Sequence, residues 1–244
     1  MTNDELMASA CPLVRDLGWA FYFAPATLAR GAELGLDPLQ FYVMGRGGVL
    51  GDVEPSVVAA AFGYFNPATI AAGWTAGCAV LAPRVAGREY MQCAAQHGRA
   101  TLAGVRGLDA FVAAADAINN AADPTGLALY AAVSAEPLAD DTPARAMQLL
   151  AVLREFRGSA HLVALRAVGI DSKTAHFVKR PGDAAMFGWS DADAPEITAA
   201  THAQMDQAEA ITDNIVAPAY GVLDESAREL FVATLTAVQQ ALAS

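Results

Sequence analysis

The sequence predicts an all-α protein, and three observations lead to that prediction. Apolar residues recur at helical spacing along most of the 244 residues. Alternating apolar and polar residues, the pattern of a half-buried strand, extend over only a few positions at a time. Prolines and glycines stand where helices would begin and end. We therefore expect a multi-helix N-terminal region over 1–142 and a second helical region over 143–244.

In the N-terminal region, local signals set the helix boundaries. The apolar stripe that includes Leu6, Ala10 and Leu13 ends before Gly18. Pro25 suits the first turn of a helix, because the backbone N–H that it lacks would have no partner there. Helices are predicted over 4–18, 25–34, 55–65, 67–82, 83–103, 107–121 and 124–135, and 40–53 is predicted as a short helix that turns into a glycine-rich loop.

The C-terminal region continues the helical pattern with shorter segments. Predicted helices cover 143–156, 159–168, 171–179, 195–216 and 225–242. Gly169 joins the second and third of these at the spacing of a helix-turn-helix unit. Ser190 and Asp191 are natural N-cap residues. The helix that starts at 195 is expected to end before Pro218, because proline interrupts helical hydrogen bonding.

The composition is hydrophobic and acidic. Hydrophobic residues make up 55% of the chain, and the net charge is −11. This much apolar surface excludes a disordered chain, and the acidic balance argues against general binding to phosphate backbones. The acidic start at Asp4-Glu5 differs from a basic secretory signal, so a cytoplasmic protein is expected. The uncharged stretch from Pro55 to Pro83 is interrupted at Asn66-Pro67, so we expect a buried helix pair and no membrane span.

Several short motifs together resemble one family. They are Phe21-Tyr22-Phe23-Ala24-Pro25, Tyr64-Phe65-Asn66-Pro67, the run from Leu153 to His161, Gly188-Trp189-Ser190-Asp191, and Thr212-Asp213 followed by Ala217-Pro218-Ala219-Tyr220. In this order they resemble a poorly characterised actinobacterial family classed with helix-turn-helix proteins, whose C-terminal part is similar to MarR-type winged helices. The resemblance implies a degenerate winged-helix region over 143–244 and leaves the activity open.

The chain departs from that pattern where DNA would be read. Only 192–211 separate the Gly-Trp-Ser-Asp motif from the Thr-Asp motif, so the recognition helix and the wing are expected to be shortened. Ten acidic residues and a single basic one, Arg228, lie between Asp183 and Ser244. A DNA-reading helix needs lysine and arginine, so binding to DNA by this chain is not expected.

One candidate catalytic set consists of Glu155, Arg157 and His161. Arg157 and His161 are four residues apart and face the same way on a continuous helix. An arginine beside a histidine can hold a carboxylate or enolate while the imidazole moves a proton. Glu155 is off that face and would need a bend at Gly158 to join them. The alternative interpretation is a structural ion pair beside a histidine held between helices.

A second candidate set would line a ligand pocket. It comprises the aromatic residues Trp19, Tyr22, Phe23, Tyr64, Phe65 and Trp189, together with Asn66 and Arg46. Aromatic walls with a few polar tips suit a planar organic molecule. The glycines around Arg46 would let backbone N–H groups and its guanidinium meet an anion. The alternatives are ordinary core packing for the rings and a mobile loop at Arg46.

These observations favour a cytoplasmic protein that binds a small planar or anionic molecule on a MarR-like scaffold and has lost DNA binding. A first alternative is a cofactor-independent lyase, isomerase or cyclase in which His161 transfers a proton. A second is a dimeric transcription regulator whose DNA-contacting patch would be Arg166, Lys173, Lys179 and Arg180. A homodimer is expected in each case, because the terminal helices have apolar faces to cover. No cofactor and no metal site is expected, since the four histidines are widely spaced.

Overall fold

The computed structural model describes residues 1–243, which fold into α-helices joined by short loops and 3-10 turns. The α-helices are α1 (Asn3–Leu17), α2 (Pro25–Glu33), α3 (Pro38–Gly47), α4 (Pro55–Phe62), α5 (Pro67–Cys78), α6 (Pro83–Leu102), α7 (Leu108–Ala121), α8 (Ala128–Ser134), α9 (Thr142–Ala167), α10 (Ser172–Lys179), α11 (Ala199–Tyr220) and α12 (Glu225–Leu242). No strand occurs in residues 1–243, which confirms the all-α prediction.

The long helix α9 is the axis of the fold. It packs against α1, α6, α7, α8 and α11, and buried side chains cover most of its circumference between Ala144 and Leu165. One continuous hydrophobic core reaches from Leu6 in α1 to Val238 in α12. Helices of both predicted regions contribute to this core, and the boundary between 142 and 143 stays a prediction.

Several predicted helix ends differ from the structure: the helices predicted from 124 and 195 begin at Ala128 and Ala199, and two predicted interruptions do not occur. A break was expected after 156, but α9 continues through Gly158 to Ala167. The packing of α9 on several sides outweighs the penalty of about 1 kcal/mol that glycine adds inside a helix. In the same way α11 continues through Pro218 to Tyr220. Only the last turn is affected by this proline, and the burial of Ala219 and Tyr220 holds that turn against the core.

The predicted helix-turn-helix junction is confirmed. A tight turn joins α9 to α10, and Gly169 adopts φ +81° there, a left-handed conformation that suits glycine. The side chain of Asp171 caps α10 by accepting a hydrogen bond from the backbone N–H of Thr174. A small second core of α9, α10 and α11 holds the unit together and consists of Ala164, Leu165, Ile170, Ala175, Met205 and Ala208.

The segment between α10 and α11 contains no wing. It forms 3-10 turns at Pro181–Phe187 and Asp191–Asp193, and a β-wing would need strands that the described chain does not contain. Ser190 does act as an N-cap, but only for the short second turn. Within the part of the chain described, no helix is both long and apolar enough to cross a lipid bilayer.

Candidate functional site

Two polar clusters lie on different sides of α9. The arginine–glutamate cluster consists of Tyr22, Tyr42, Arg46, Arg154 and Glu155, and the histidine cluster consists of Tyr64, Arg157, His161, Glu209 and Thr212. A helix places residues two apart on different faces, so Glu155 and Arg157 point away from each other. The structure therefore brings Arg157 and His161 together and separates Glu155 from both.

The arginine–glutamate cluster is centred on a bidentate ion pair. Arg46 donates from Nε to Oε1 of Glu155 over 2.7 Å and from Nη2 to Oε2 over 2.8 Å. Tyr22 donates its hydroxyl to Oε1 over 2.8 Å, and Arg154 reaches the same oxygen over 3.1 Å. Arg46 also donates to the hydroxyl of Tyr42 over 3.1 Å. Two guanidinium groups thus share one carboxylate.

Burial and charge act against each other at Glu155, whose side chain is only 4% exposed. Burial alone would raise the pKa of this carboxyl group. The charge of Arg46 and its hydrogen bonds, assisted by Arg154 and Tyr22, outweigh burial and lower the pKa to about 2. Burial also raises the pKa of the Tyr22 phenol well above its ordinary range. The carboxylate is therefore ionised and the phenol is a hydrogen-bond donor at neutral pH.

Aromatic rings enclose this cluster. The Arg46 guanidinium carbon lies 4.3 Å from the ring centre of Phe62, and that of Arg154 lies 5.2 Å from the ring centre of Tyr22. Such contacts stabilise a cation by attraction to the face of the ring. Gly45 allows the ring of Tyr90 to approach closely, because a Cβ at this position would collide with it. Of the aromatic residues predicted to line a ligand pocket, Tyr22 lies in this cluster, and the other rings around Arg46 are Tyr42, Phe62 and Tyr90.

The space enclosed by these rings is small. A cavity of about 20 Å³ is lined by Tyr22, Arg46, Tyr90 and Glu155, among others. This is about the room of one water molecule and is far below the size of an organic ligand. The Tyr90 hydroxyl is buried and has no hydrogen-bond partner in the described chain. A planar ligand would enter only if the rings moved apart.

The histidine cluster orients one imidazole by hydrogen bonds on both ring nitrogens. Nδ1 of His161 lies 2.9 Å from the Thr212 hydroxyl, and Nε2 lies 2.9 Å from the Tyr64 hydroxyl. Thr212 gives its single hydroxyl hydrogen to the backbone oxygen of Ala208 over 2.6 Å, so it accepts from Nδ1–H. Nε2 of the neutral ring then accepts the hydrogen of Tyr64. This network fixes the tautomer of His161.

The charges around His161 are balanced in pairs. Glu209 binds Arg157 over 2.9 Å and Lys179 over 2.9 Å, and Asp213 lies 3.2 Å from the same Arg157 nitrogen. Burial lowers the pKa of His161 despite the nearby Glu209, so the imidazole is neutral at pH 7. A neutral imidazole of fixed tautomer is suited to accept a proton at Nε2.

Tyr64 holds its hydroxyl in this network from an unusual backbone conformation. Its φ is +60°, and it is the only non-glycine residue with positive φ in the described chain. A bulky residue in this region stores strain of order 1–3 kcal/mol. The indole N–H of Trp189 donates to the backbone oxygen of Tyr64 over 2.8 Å and helps to maintain this conformation.

The remaining predicted ligand-binding residues have other positions. Trp19 and Phe23 are 46% and 44% exposed, and Phe23 stacks on Tyr42 at 5.5 Å between ring centres. Asn66 caps α5 and donates to the backbone oxygen of Gly188 over 3.0 Å. Phe65 is buried in a stack with Phe187. Asn66 and Trp189 therefore tie two sequence motifs together.

Sequence reasoning missed several members of the two clusters. Tyr42 stands four residues before Arg46 on α3, a spacing that would have suggested a contact. Arg154, Glu209 and Thr212 carried no signal by which one sequence could connect them to Tyr22 or His161. Their partners lie on other segments of the fold, between 51 and 132 residues away along the chain.

The predicted DNA-contacting patch is largely engaged within the chain. Arg166 donates to the backbone oxygen of Ile170, Lys179 binds Glu209, and Arg180 binds Asp183. Among the described residues there is also no group of three histidine, cysteine, aspartate or glutamate side chains arranged to hold a metal ion.

Comparison with known proteins gives one result. The sequence model of a helix-turn-helix family matches residues 9–244. A search of curated proteins and a search of solved structures each found no match. Because the family match extends over nearly the whole sequence, the chain belongs to this helix-turn-helix family.

Proposed function

We propose that this protein binds a small, planar organic anion and does not read DNA. The observation that carries the proposal is the arginine–glutamate cluster, in which two guanidinium groups share one buried carboxylate inside an aromatic wall. The proposal includes a cytoplasmic homodimer on a MarR-like scaffold. Exposed Val222 and Leu230, near and on α12, support the dimer because a partner would cover them.

The charge of the cluster favours an anion over a neutral ligand. The charge of Arg46 is neutralised by its ion pair with Glu155. The Arg154 side chain, by contrast, is 24% exposed, and its buried Nε has no hydrogen-bond partner in the described chain. A cation in an apolar setting is stabilised by a second anion. A ligand carboxylate would bind Arg154, and its ring would lie among the aromatic side chains after they separate.

Three features support the loss of DNA binding. The helix α10, which follows the turn of the helix-turn-helix unit, has 8 residues. Most basic side chains of this unit already bind partners within the chain. The acidic side chains of 183–244 would repel phosphate. We expect no binding of a random 30-bp duplex at about 10 μM protein and physiological salt, measured by fluorescence anisotropy. Saturable binding under these conditions would reject this part of the proposal.

Native mass spectrometry of the freshly purified protein, followed by calorimetric titration, tests ligand binding. A panel of aromatic carboxylates is compared with the matching amides, which have the same shape and no charge. We expect the carboxylates to bind at least about 10-fold more tightly. Arg154→Met removes this preference, whereas the control Arg99→Met, which removes an exposed guanidinium paired with Asp141, keeps it. Equal binding of acids and amides would reject the proposal.

The histidine cluster supports a second candidate function, a cofactor-independent proton-transfer enzyme. The specific observation is the neutral imidazole of fixed tautomer held against the hydroxyl of Tyr64. In this function the Tyr64 hydroxyl would contact the substrate, and His161 would accept a proton from the substrate. General base catalysis of this kind accelerates a reaction by about 10²–10⁴-fold. Turnover of a screened substrate that survives unchanged in His161→Gln would exclude this candidate.

A further inference from the structure

One face of the fold is closed by a loosely held segment. The cover segment, residues 181–198, lies between α10 and α11 and buries only two side chains, Ala184 and Phe187. It is tied to the motif 64–66 by three hydrogen bonds, from Asn66 N to Phe187 O, from Asn66 Nδ2 to Gly188 O and from Trp189 Nε1 to Tyr64 O. Segments with so few buried contacts open more readily than the core.

Phe187 fills a pocket of its own. Its ring stacks on Phe65 with ring centres 4.2 Å apart, and it lies against the imidazole of His176 at 4.6 Å. The guanidinium carbon of Arg180 lies 4.9 Å from the ring centre. An aromatic ring, an imidazole and a guanidinium group thus surround one phenyl group.

His176 is the unusual member of this pocket. The side chain is completely buried, and neither ring nitrogen has a hydrogen-bond partner among residues 1–243. Buried polar groups are normally hydrogen-bonded, and an exception calls for an explanation. The phenyl group of Phe187 cannot supply a partner. A ligand with an oxygen at its edge could do so.

We propose that displacement of Phe187 opens a second binding site, which accepts a planar aromatic carboxylate. The ligand ring takes the place of the phenyl group against Phe65. The ligand carboxylate accepts hydrogen bonds from the N–H of His176 and from the guanidinium group of Arg180. Arg180 gives up its ion pair with Asp183 to make this contact. Phe187 therefore acts as a built-in competitor that keeps the site closed.

This site is distinct from the arginine–glutamate cluster. Phe65 stacks on Phe187 at 4.2 Å, and its ring also lies 5.8 Å from that of Tyr42, which binds Arg46. Phe65 thus lies between the two sites, which have no charged residue in common. Variants of the charged residues therefore test each site separately, and the second site stands whether or not the proposed function does.

Calorimetric titration with benzoate tests the proposal, and benzyl alcohol is the uncharged control. We expect Phe187→Ala to bind benzoate at least about 10-fold more tightly than the wild type, because the phenyl group no longer competes. Phe111→Ala opens a space of the same size against Phe231 and is the matched control. It lacks the imidazole and the guanidinium group, so it should not favour benzoate over benzyl alcohol.

Two further variants test the polar contacts. In the Phe187→Ala background, His176→Phe and Arg180→Met should each weaken benzoate binding at least about 10-fold and leave benzyl alcohol unaffected. In the same background, Arg154→Met should change neither benzoate binding nor benzyl alcohol binding. In the wild-type background, His176→Phe should keep or raise the melting temperature, because it removes two unpartnered nitrogens.

The outcomes separate the two sites. Benzoate binding that depends on His176 and Arg180 but not on Arg154 supports the second site. Benzoate binding that depends only on Arg154 overturns it and leaves the proposed function intact. If Phe187→Ala does not fold, Phe187→Leu replaces it with the same expectations. A fall in melting temperature of His176→Phe together with unchanged benzoate binding would also reject the proposal.

Discussion

Glu155 is a buried carboxylate that neutralises part of the charge of two guanidinium groups, those of Arg46 and Arg154. Glu155→Gln keeps the shape of the side chain and leaves Arg46 and Arg154 without a counter-ion. We expect a loss of about 3–5 kcal/mol in the free energy of unfolding, the range observed when one partner of a buried ion pair is removed. Urea denaturation at pH 7 measures it.

The exposed pair of Arg99 and Asp141 provides the control for this variant. Asp141→Asn retains the ability to cap α9 and should lower the free energy of unfolding much less than Glu155→Gln does, because exposed ion pairs contribute little. If Glu155→Gln lowered the free energy of unfolding as little as this control does, the carboxylate would not be what stabilises the arginine–glutamate cluster.

The Tyr64 hydroxyl forms a hydrogen bond that favours the neutral form of His161. It donates to Nε2, and only a neutral imidazole has a lone pair there. Tyr64→Phe removes this stabilisation of the neutral form, so the pKa of His161 should rise from its lowered value. An NMR titration of the imidazole resonances measures the change. Tyr130→Phe, which removes a hydroxyl bound to Asn119, is the control and should leave the titration unchanged.

At this scale, the sequence could predict part of the site. The spacing of Arg157 and His161 correctly predicted that both would lie on one face of the helix. The spacing of Glu155 and Arg157 correctly predicted that these two would lie on different faces. The sequence could not predict which residue Glu155 would bind, because Arg46 is 109 positions away and reaches it only through the packing of α3. The pairing of distant helices therefore decides the chemistry of each cluster.

At the scale of helices, glycine sets how closely α6 approaches α9. A Cβ on Gly98 would collide with the backbone oxygen of Pro143 and crowd Met147. Gly98→Ala should therefore push the two helices apart and cost about 1–3 kcal/mol in the free energy of unfolding. A Cβ on Gly104 would meet no atom within 4 Å, so Gly104→Ala should be neutral. Equal chemical denaturation midpoints for both variants would contradict this account.

The positions of the helices were predictable because they depend on local signals. The residues at which helices end were less predictable. Pro25, Pro55 and Pro67 each begin a helix, as prolines near predicted starts should. Gly158 and Pro218 did not interrupt their helices, because tertiary packing outweighed the local preference. A single sequence carries no direct measure of that packing, so it predicts interruptions more often than they occur.

For the whole molecule, acidic residues outnumber basic ones by 26 to 15 in a member of a helix-turn-helix family. The HTH-like turn between α9 and α10 is intact, yet Lys179 and Arg180 bind Glu209 and Asp183. A fold alone does not determine function, which depends on the residues at particular sites. The interior, by contrast, holds histidines and a glutamate that respond to pH.

Three histidines, His97, His161 and His176, have pKa values lowered primarily by burial. Their unfolded-state pKa is near 6.5, so below this pH the unfolded chain binds more protons than the folded chain. Stability should be constant just above neutral pH and should fall as the pH drops below about 6.5. Each histidine contributes at most about 1.4 kcal/mol per pH unit.

Urea denaturation at constant ionic strength measures this effect, at pH 7.5, 6.5, 5.5 and 5.0 for the histidines and at pH 4.0 and 3.0 for Glu155. His176→Phe removes one of the three titrating groups, so its stability should fall less steeply over the same interval. A second loss should begin below about pH 4.5 and continue towards pH 2, because Glu155 gains a proton in the unfolded chain over this interval while its lowered pKa keeps it ionised in the folded chain. Glu155→Gln should show a smaller second loss and keep the first, because other carboxyl groups with lowered pKa values, such as Glu209, still titrate. A wild-type stability that did not change between pH 7.5 and 5.0 would contradict the burial of neutral imidazoles in this fold.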